Sequence, residues 1–236
     1  MGINLLEIKN ITKKFGKSIV LDNINFTVKD GEAVGILGSN GAGKTTLMEI
    51  IVGQIKPTSG KVLLNGKEDV YKNVGIQFQE GFWPKGMNSN LLIKYFKKRW
   101  TKGFDEKTNE LIKTFELENI LKKDLNQLSG GQKQRLNTLL AILNDPNYIF
   151  LDEMITGLDL KMQLRLADFF ANLKKEKKTL LIISHIPEEV ETLCDRVMII
   201  DKGKIFLDMN IDDVKKKYKT VRELLIKYYK GELHAK

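Results

Sequence analysis

The stretch GSNGAGKTT, Gly38 to Thr46, decides how the rest of the chain is read. It fits the pattern G-x-x-x-x-G-K-[ST], and it stands between an apolar strand, AVGIL, and a helix, TLMEIIVG, which is the context a phosphate loop requires. Glycines let backbone amides wrap phosphate oxygens, Lys44 reaches the β and γ phosphates as a point charge, and the Thr45 hydroxyl coordinates Mg²⁺. Nucleotide contact is therefore expected at Gly38, Ser39, Asn40, Gly41, Ala42, Gly43, Lys44, Thr45 and Thr46.

A nucleotide seat needs a carboxylate for the metal. The segment YIFLDE supplies Asp152 at the end of an apolar strand, where the carboxyl edge of a parallel sheet faces its ligand. Glu153 follows directly and would sit beside the γ-phosphate, placed to polarise a water for in-line attack. No Asn in the chain is followed by Lys, so the N-K-x-D guanine clamp is missing and adenine is the expected base.

Composition agrees with a globular domain that buries a proper core: 236 residues, 42% hydrophobic and 29% charged. No apolar run approaches the roughly 18 residues of a membrane span, and the opening MGINLLEIKN is charged too early for a signal peptide. A cytosolic location follows as an expectation. Cys194 is the single cysteine and His185 and His234 the two histidines, so a metal is expected to be Mg²⁺ held by oxygens rather than an N/S cage. The net charge of +9 comes from lysines scattered in short clusters such as LKKEKK and VKKKYK, which reads first as a solvated basic surface, then as attraction to a membrane-side partner, and last as a nucleic-acid site.

Along the chain, LLEIKNI, SIVLDNINFTV and EAVGIL read as strands separated by the turn signals FGKS and KDGE. After the helix that ends at Gly53, KPTSGKVLLNG returns to strand. From about residue 80 the spacing turns helical, with Leu91, Leu92, Tyr95, Phe96 and Trp100 on one face and Lys94, Lys97 and Lys98 on the other, followed by Leu111, Ile112 and Phe115. Strand YIFLD, a helix from Leu160 with Leu164, Ala167 and Ala171 on one face, strand TLLIIS, helix IPEEVETLC and strands RVMIID and KIFLD follow. Strands alternating with helices predict a mostly parallel sheet covered on both sides. The tail YKTVRELLIKYYKGELHAK reads as one last amphipathic helix.

A second anion seat stands at LSGGQKQR, Leu128 to Arg135. Ser129, Gly130 and Gly131 precede a helix whose unpaired amides and dipole favour negative charge. With the phosphate loop and FLDE, this stretch resembles the signature motif of the ATP-binding cassette (ABC) ATPases, and the similarity runs over essentially the whole chain in the order of that family. It implies an α/β fold with a phosphate-loop ATPase core, an N-terminal antiparallel β subdomain and an inserted helical subdomain. The expected division is one ABC ATPase domain over 1–236, with 1–79 and 144–236 forming the ATP-binding core and 80–143 the helical subdomain.

The resemblance also implies roles. Phe15 matches the aromatic that stacks on adenine, and Gln79 the loop glutamine that touches Mg²⁺ and the attacking water. His185 matches the switch histidine on the γ-phosphate, and Asp159 the loop that crosses to another subunit. Catalysis is assigned on this basis to Glu153, His185, Gln79 and Lys44, and metal contact to Thr45, Gln79 and Asp152. Ser129, Gly130, Gly131 and Gln132 complete the ATP site of a second cassette packed head to tail. ATP and Mg²⁺ are the implied cofactors, and a second ABC ATPase subunit and an integral membrane permease the implied partners, with the chain peripheral on the cytoplasmic face of the membrane.

SHIPEEVETLCDRVMIIDKGKI is similar to exporter-type ATPases of the drug, bacteriocin and sodium group. A soluble iron–sulfur assembly ATPase and an importer ATPase are the alternatives. Phe82, Trp83 and Met87 are the expected permease-facing residues. The sequence departs from the family at Met154 and Ile155, where Pro and Thr usually follow the catalytic glutamate; without Pro the loop from Glu153 to Asp159 loses a fixed φ.

Overall fold

The computed structural model describes residues 5–68, 70, 74–77, 84–98, 100 and 103–233. Strands β1 (Leu5–Phe15), β2 (Ser18–Lys29) and β4 (Ser59–Leu64) form an antiparallel sheet in the order β2-β1-β4. The second sheet holds β3 (Ala33–Leu37), β5 (Val74–Ile76), β6 (Tyr148–Asp152), β7 (Thr179–Ile183), β8 (Arg196–Asp201) and β9 (Lys204–Asn210), in the order β5-β6-β7-β3-β8-β9. Its pairings are parallel except that β9 returns antiparallel to β8. This is the mixed α/β architecture that the sequence predicts.

Strands β3, β6 and β7 are buried along their whole length, as a sheet covered on two faces demands. Their side chains alternate between two cores. Val34, Ile36, Phe150, Leu181 and Ile183 meet helix α1 (Lys44–Ile51) and the antiparallel sheet, so α1 is held between the two sheets. Ala33, Leu37, Ile149, Leu151, Leu180 and Ile182 face the opposite side. There they pack with residues of α4 (Gly130–Ile142), α5 (Leu160–Lys175), α6 (Pro187–Leu193), α7 (Ile211–Tyr218) and α8 (Val221–Tyr229).

Helices α2 (Ser89–Lys97) and α3 (Glu106–Thr114) precede α4, and their apolar residues join the same core. In α3, Leu111 and Ile112 are buried, with Phe115 just beyond, as their spacing predicts. The α2 stripe differs. Leu92 and Ile93 point inward, whereas Leu91, Tyr95 and Phe96 are exposed and Trp100 lies past the helix end, after Lys98 takes a left-handed conformation. Helical spacing alone leaves the facing direction open by a residue, and Asn88, capping the amide of Leu91, sets the frame.

The α5 face is also corrected. The buried ridge is Met162, Leu166 and Phe170, at four-residue intervals, and Leu160 and Leu164 stand in solvent. The tail from Tyr218 holds one helix, α8, as the sequence predicts: Lys219 at φ 70° separates it from the preceding α7, and Thr220 caps its start at the amide of Glu223. One close approach ties the helical insert to the sheet: a Cβ on Gly75 in β5 would lie 1.8 Å from the carbonyl oxygen of Ala141 in α4, so only glycine fits there.

Candidate nucleotide site

Strand β3 ends at Leu37 and α1 begins at Lys44, with the loop 38–43 turning between them. Gly43, the N-cap of α1, has φ 102°, and a Cβ there would meet Leu21 Cδ2 at 2.7 Å. Glycine is required at this point on both counts. The loop and the first turn of α1 border a cavity of about 460 Å³, lined also by Val20, Asp152, Glu153, Ile183 and His185.

Lys44 is buried and donates to the carbonyls of Gly38 and Ser39, each at 2.9 Å. Burial lowers its pKa, and the nearby Asp152 and Glu153 oppose that shift. The Thr45 hydroxyl donates to Asp152 Oδ2 at 3.5 Å. Asp152 is pushed up to about 6, first by burial and then by the charge of Glu153, and its Oδ1 is buried without a hydrogen-bond partner.

Glu153 begins the turn after β6 with φ 53°, a left-handed conformation uncommon outside glycine. Its amide donates to the carbonyl of Ile183 at 2.9 Å, which ties the end of β6 to the end of β7. Two residues beyond Ile183, His185 places Nε2 2.9 Å from Glu153 Oε1. The histidine loop is braced in turn, since the Ser184 hydroxyl bonds the carboxylate of Glu189 and accepts from the amide of Ile186 at 2.9 Å.

The second seat lies elsewhere. Ser129 caps α4 in a reciprocal box: the amide of Gln132 donates to Ser129 Oγ at 3.3 Å, and the amide of Ser129 donates to Gln132 Oε1 at 3.1 Å. Ser129 and Gly130 are exposed, and neither they nor Gly131 and Gln132 line the cavity. Asp159 caps α5 through the amide of Met162 at 2.9 Å, and Phe15 stands half exposed at the end of β1 beneath the ammonium of Lys13; neither lines the cavity.

The comparisons agree with this geometry. Residues 21–156 match the family model described as ABC transporter, more than half of the chain. This chain belongs to the ABC transporter family. It is 33% identical over 226 residues to an uncharacterised ABC transporter ATP-binding protein of Methanocaldococcus jannaschii, covering 93% of this chain and 82% of that one. It is 34% identical to the Nod factor export ATP-binding protein I of Burkholderia lata, over 86% of this chain and 70% of that one. Identity is likewise 34% with the lantibiotic transport ATP-binding protein SrtF of Streptococcus pyogenes, over 88% of this chain and 92% of that one.

Among solved structures, the dimeric post-hydrolysis state of the ATP-binding cassette MJ0796 bound to ADP and Pi superposes with a TM-score of 0.77 at 25% identity, over 87% of this chain and 98% of that one. The chain is thus an ATP-binding, ATP-hydrolysing cassette, a nucleotide-binding subunit of the transporter type with export-type relatives.

Within this ABC cassette, Gln79, Phe82 and Trp83 lie outside the described residues. Met87 is half-buried and packs against the main core. The sequence reading passed over several side chains. Val20 and Ile183 line the cavity. Gln77, buried after β5, points Nε2 at the carbonyl of Asp152 at 3.4 Å, and Gln134 of α4 reaches the backbone of Glu153. A glutamine among apolar neighbours was the only signal for Gln77.

Proposed function

We propose that the cassette closes head to tail with a second cassette around two ATP molecules and drives a separate membrane permease, in the export direction. One observation carries the pairing. The capped, exposed N-terminus of α4 at Ser129 to Gln132 stands outside the cavity formed by its own phosphate loop, Asp152, Glu153 and His185. A helix N-terminus bearing free amides suits an anion, and a second chain supplies that anion as the γ-phosphate in its own loop. Asp159, which follows the Gly157–Leu158 turn that lies beside Gly131, would meet that second chain.

In the closed site, Gly38 to Thr46 hold the phosphates and Phe15 receives the adenine. The donor set fits Mg²⁺: the orphaned Oδ1 of Asp152 and the Thr45 hydroxyl are hard oxygen donors. Thr45, Asp152 and Gln79 would hold the ion, which when bound neutralises charge on the phosphates. Glu153 accepts a proton from the attacking water and His185 keeps that carboxylate aimed while bonding the γ-phosphate.

The exposed apolar residues of the helical insert, Leu91 at 39%, Tyr95 at 62%, Phe96 at 38% and Trp100 at 68%, support a protein partner on that side, assigned here to the permease. Among the described residues no helix is long and apolar enough to cross a membrane, so the permease would be another chain, with this one peripheral to it on the cytoplasmic face. The export direction rests on the names of the Nod factor and lantibiotic relatives.

The test is Glu153→Gln with saturating Mg-ATP, followed by light scattering. Hydrolysis should stop while the protein shifts from monomer to dimer, and a variant that binds ATP yet stays monomeric would refute the pairing.

A further inference from the structure

Gln134 stands five residues after Ser129 on α4, a distance of about 7.5 Å along a rigid helix. Its Nε2 donates to the carbonyl of Glu153 at 2.5 Å and lies 3.3 Å from the carbonyl of Met154. The next residue, Arg135, anchors the same turn to the helical insert through the carbonyls of Phe115 at 3.0 Å and Glu116 at 3.1 Å. Glu116 is in turn ion-paired with Arg165 of α5 at 2.8 Å. One turn of the signature helix therefore grips the backbone of the catalytic carboxylate on one side and its own subdomain on the other.

That grip has something to hold. Glu153 sits at φ 53°, which costs a residue with a Cβ about 1 kcal/mol or more and persists only where neighbours enforce it. The position after it is Met154, which leaves φ free where a proline would fix it. Besides Gln134, the Glu153 carbonyl is bonded by the amide of Thr156 at 3.2 Å, and the Glu153 amide by the carbonyl of Ile183. Of these tethers only Gln134 comes from the helical insert.

We propose that Gln134 is a positioning residue that couples the two ATP sites of the paired cassettes. The inference rests on the head-to-tail reading above. In that arrangement Ser129, at the start of α4, touches nucleotide held by the partner, whereas Gln134 on the same helix sets Glu153 in this chain's own site. Capture of the partner's γ-phosphate by the α4 N-terminus fixes the helix, and the hydrogen bond from Gln134 carries that placement to the carboxylate that takes the proton of the attacking water. Each site then turns over fastest when the other is filled, which is cooperativity in ATP.

The experiment compares the wild-type chain with Gln134→Met, which keeps the length but has no donor, and with Gln134→Glu, which keeps the shape and replaces the amide nitrogen by oxygen. Steady-state hydrolysis is measured against Mg-ATP concentration, ATP binding by fluorescence titration, and dimerisation in the Glu153→Gln background. Both variants should lose about 10- to 100-fold in kcat, as misplacement of a catalytic group does. Their ATP affinity should stay within about twofold of wild type, and the Hill coefficient should fall toward one. Dimerisation of Glu153→Gln with Mg-ATP should survive the added Gln134→Met.

A hyperbolic wild-type curve, or variants with wild-type kcat and Hill coefficient, overturns the coupling and leaves the pairing standing. Loss of the dimer only in the double variant marks Gln134 as a plain structural prop and also overturns it. A Glu153→Gln protein that never dimerises removes the pairing and the coupling together.

Discussion

His185 Nε2 and Glu153 Oε1 lie 2.9 Å apart, although the two residues close different strands, β7 and β6. The contact exists because the Glu153 amide bonds the Ile183 carbonyl, which brings the two strand ends into step. In the proposed closed site this histidine orients the carboxylate and bonds the γ-phosphate, and so would act on the chemical step. His185→Ala should therefore lower kcat by about 10²- to 10⁴-fold while leaving equilibrium ATP binding nearly unchanged. Single-turnover hydrolysis alongside nucleotide titration separates the two effects; a parallel loss of binding would place His185 in substrate capture instead.

Ser129 caps α4 and stands exposed at its N-terminus. Ser129→Arg removes the cap, at about 1 kcal/mol of stability, and projects a long side chain from the helix N-terminus. The isolated monomer should bind ATP as before, since Ser129 does not line its cavity. The same substitution placed in Glu153→Gln should prevent the ATP-driven dimerisation expected of Glu153→Gln alone, as read by light scattering. A large drop in ATP affinity of the monomer would mean that the signature turn acts within its own chain.

Much of this was legible in advance because local chemistry announces it. The phosphate loop needs glycines at fixed spacing before a lysine, and the buried parallel strands need unbroken apolar runs such as TLLII and YIFLD. The faces of α2 and α5 were not legible, because an apolar residue at helical spacing suits either a core or a partner-facing surface. Leu164 and Tyr95 look inward by pattern and stand outward in the fold. The role of Gln134 left no trace at all. Its partners are backbone carbonyls, which every residue has, some 20 positions away.

The contact at Gly75 gives a stability prediction. Gly75→Ala would drive a methyl group to 1.8 Å from the Ala141 carbonyl and 2.7 Å from Pro146 Cγ, and backbone cannot yield as a side chain does. Overpacking of this kind costs about 1–3 kcal/mol, and this clash belongs at the upper end. Calorimetry should show Tm lowered by roughly 5–10 °C. Because α4 carries Gln134, its displacement from β5 should also depress ATP turnover below the activity expected from the folded fraction alone.

Glu189 yields the pH dependence. Burial lifts its carboxyl from 4.5 to about 7; the Ser184 hydroxyl bond works against that shift, and the charge of Glu153 adds to it. A group whose folded pKa is raised binds more protons in the folded state than in the unfolded one. Its contribution is thus complete below about pH 4.5 and is lost as pH rises through about 7. The loss is on the order of 3 kcal/mol at most. Glu189→Gln keeps the shape, stays neutral, and its amide can still bond Ser184. Thermal unfolding across pH 5 to 8.5 should show the wild-type Tm falling relative to the variant through this window, with the variant ahead at the alkaline end. Two parallel curves would mean that Glu189 is ionised throughout and that the Ser184 bond, rather than burial, governs its charge.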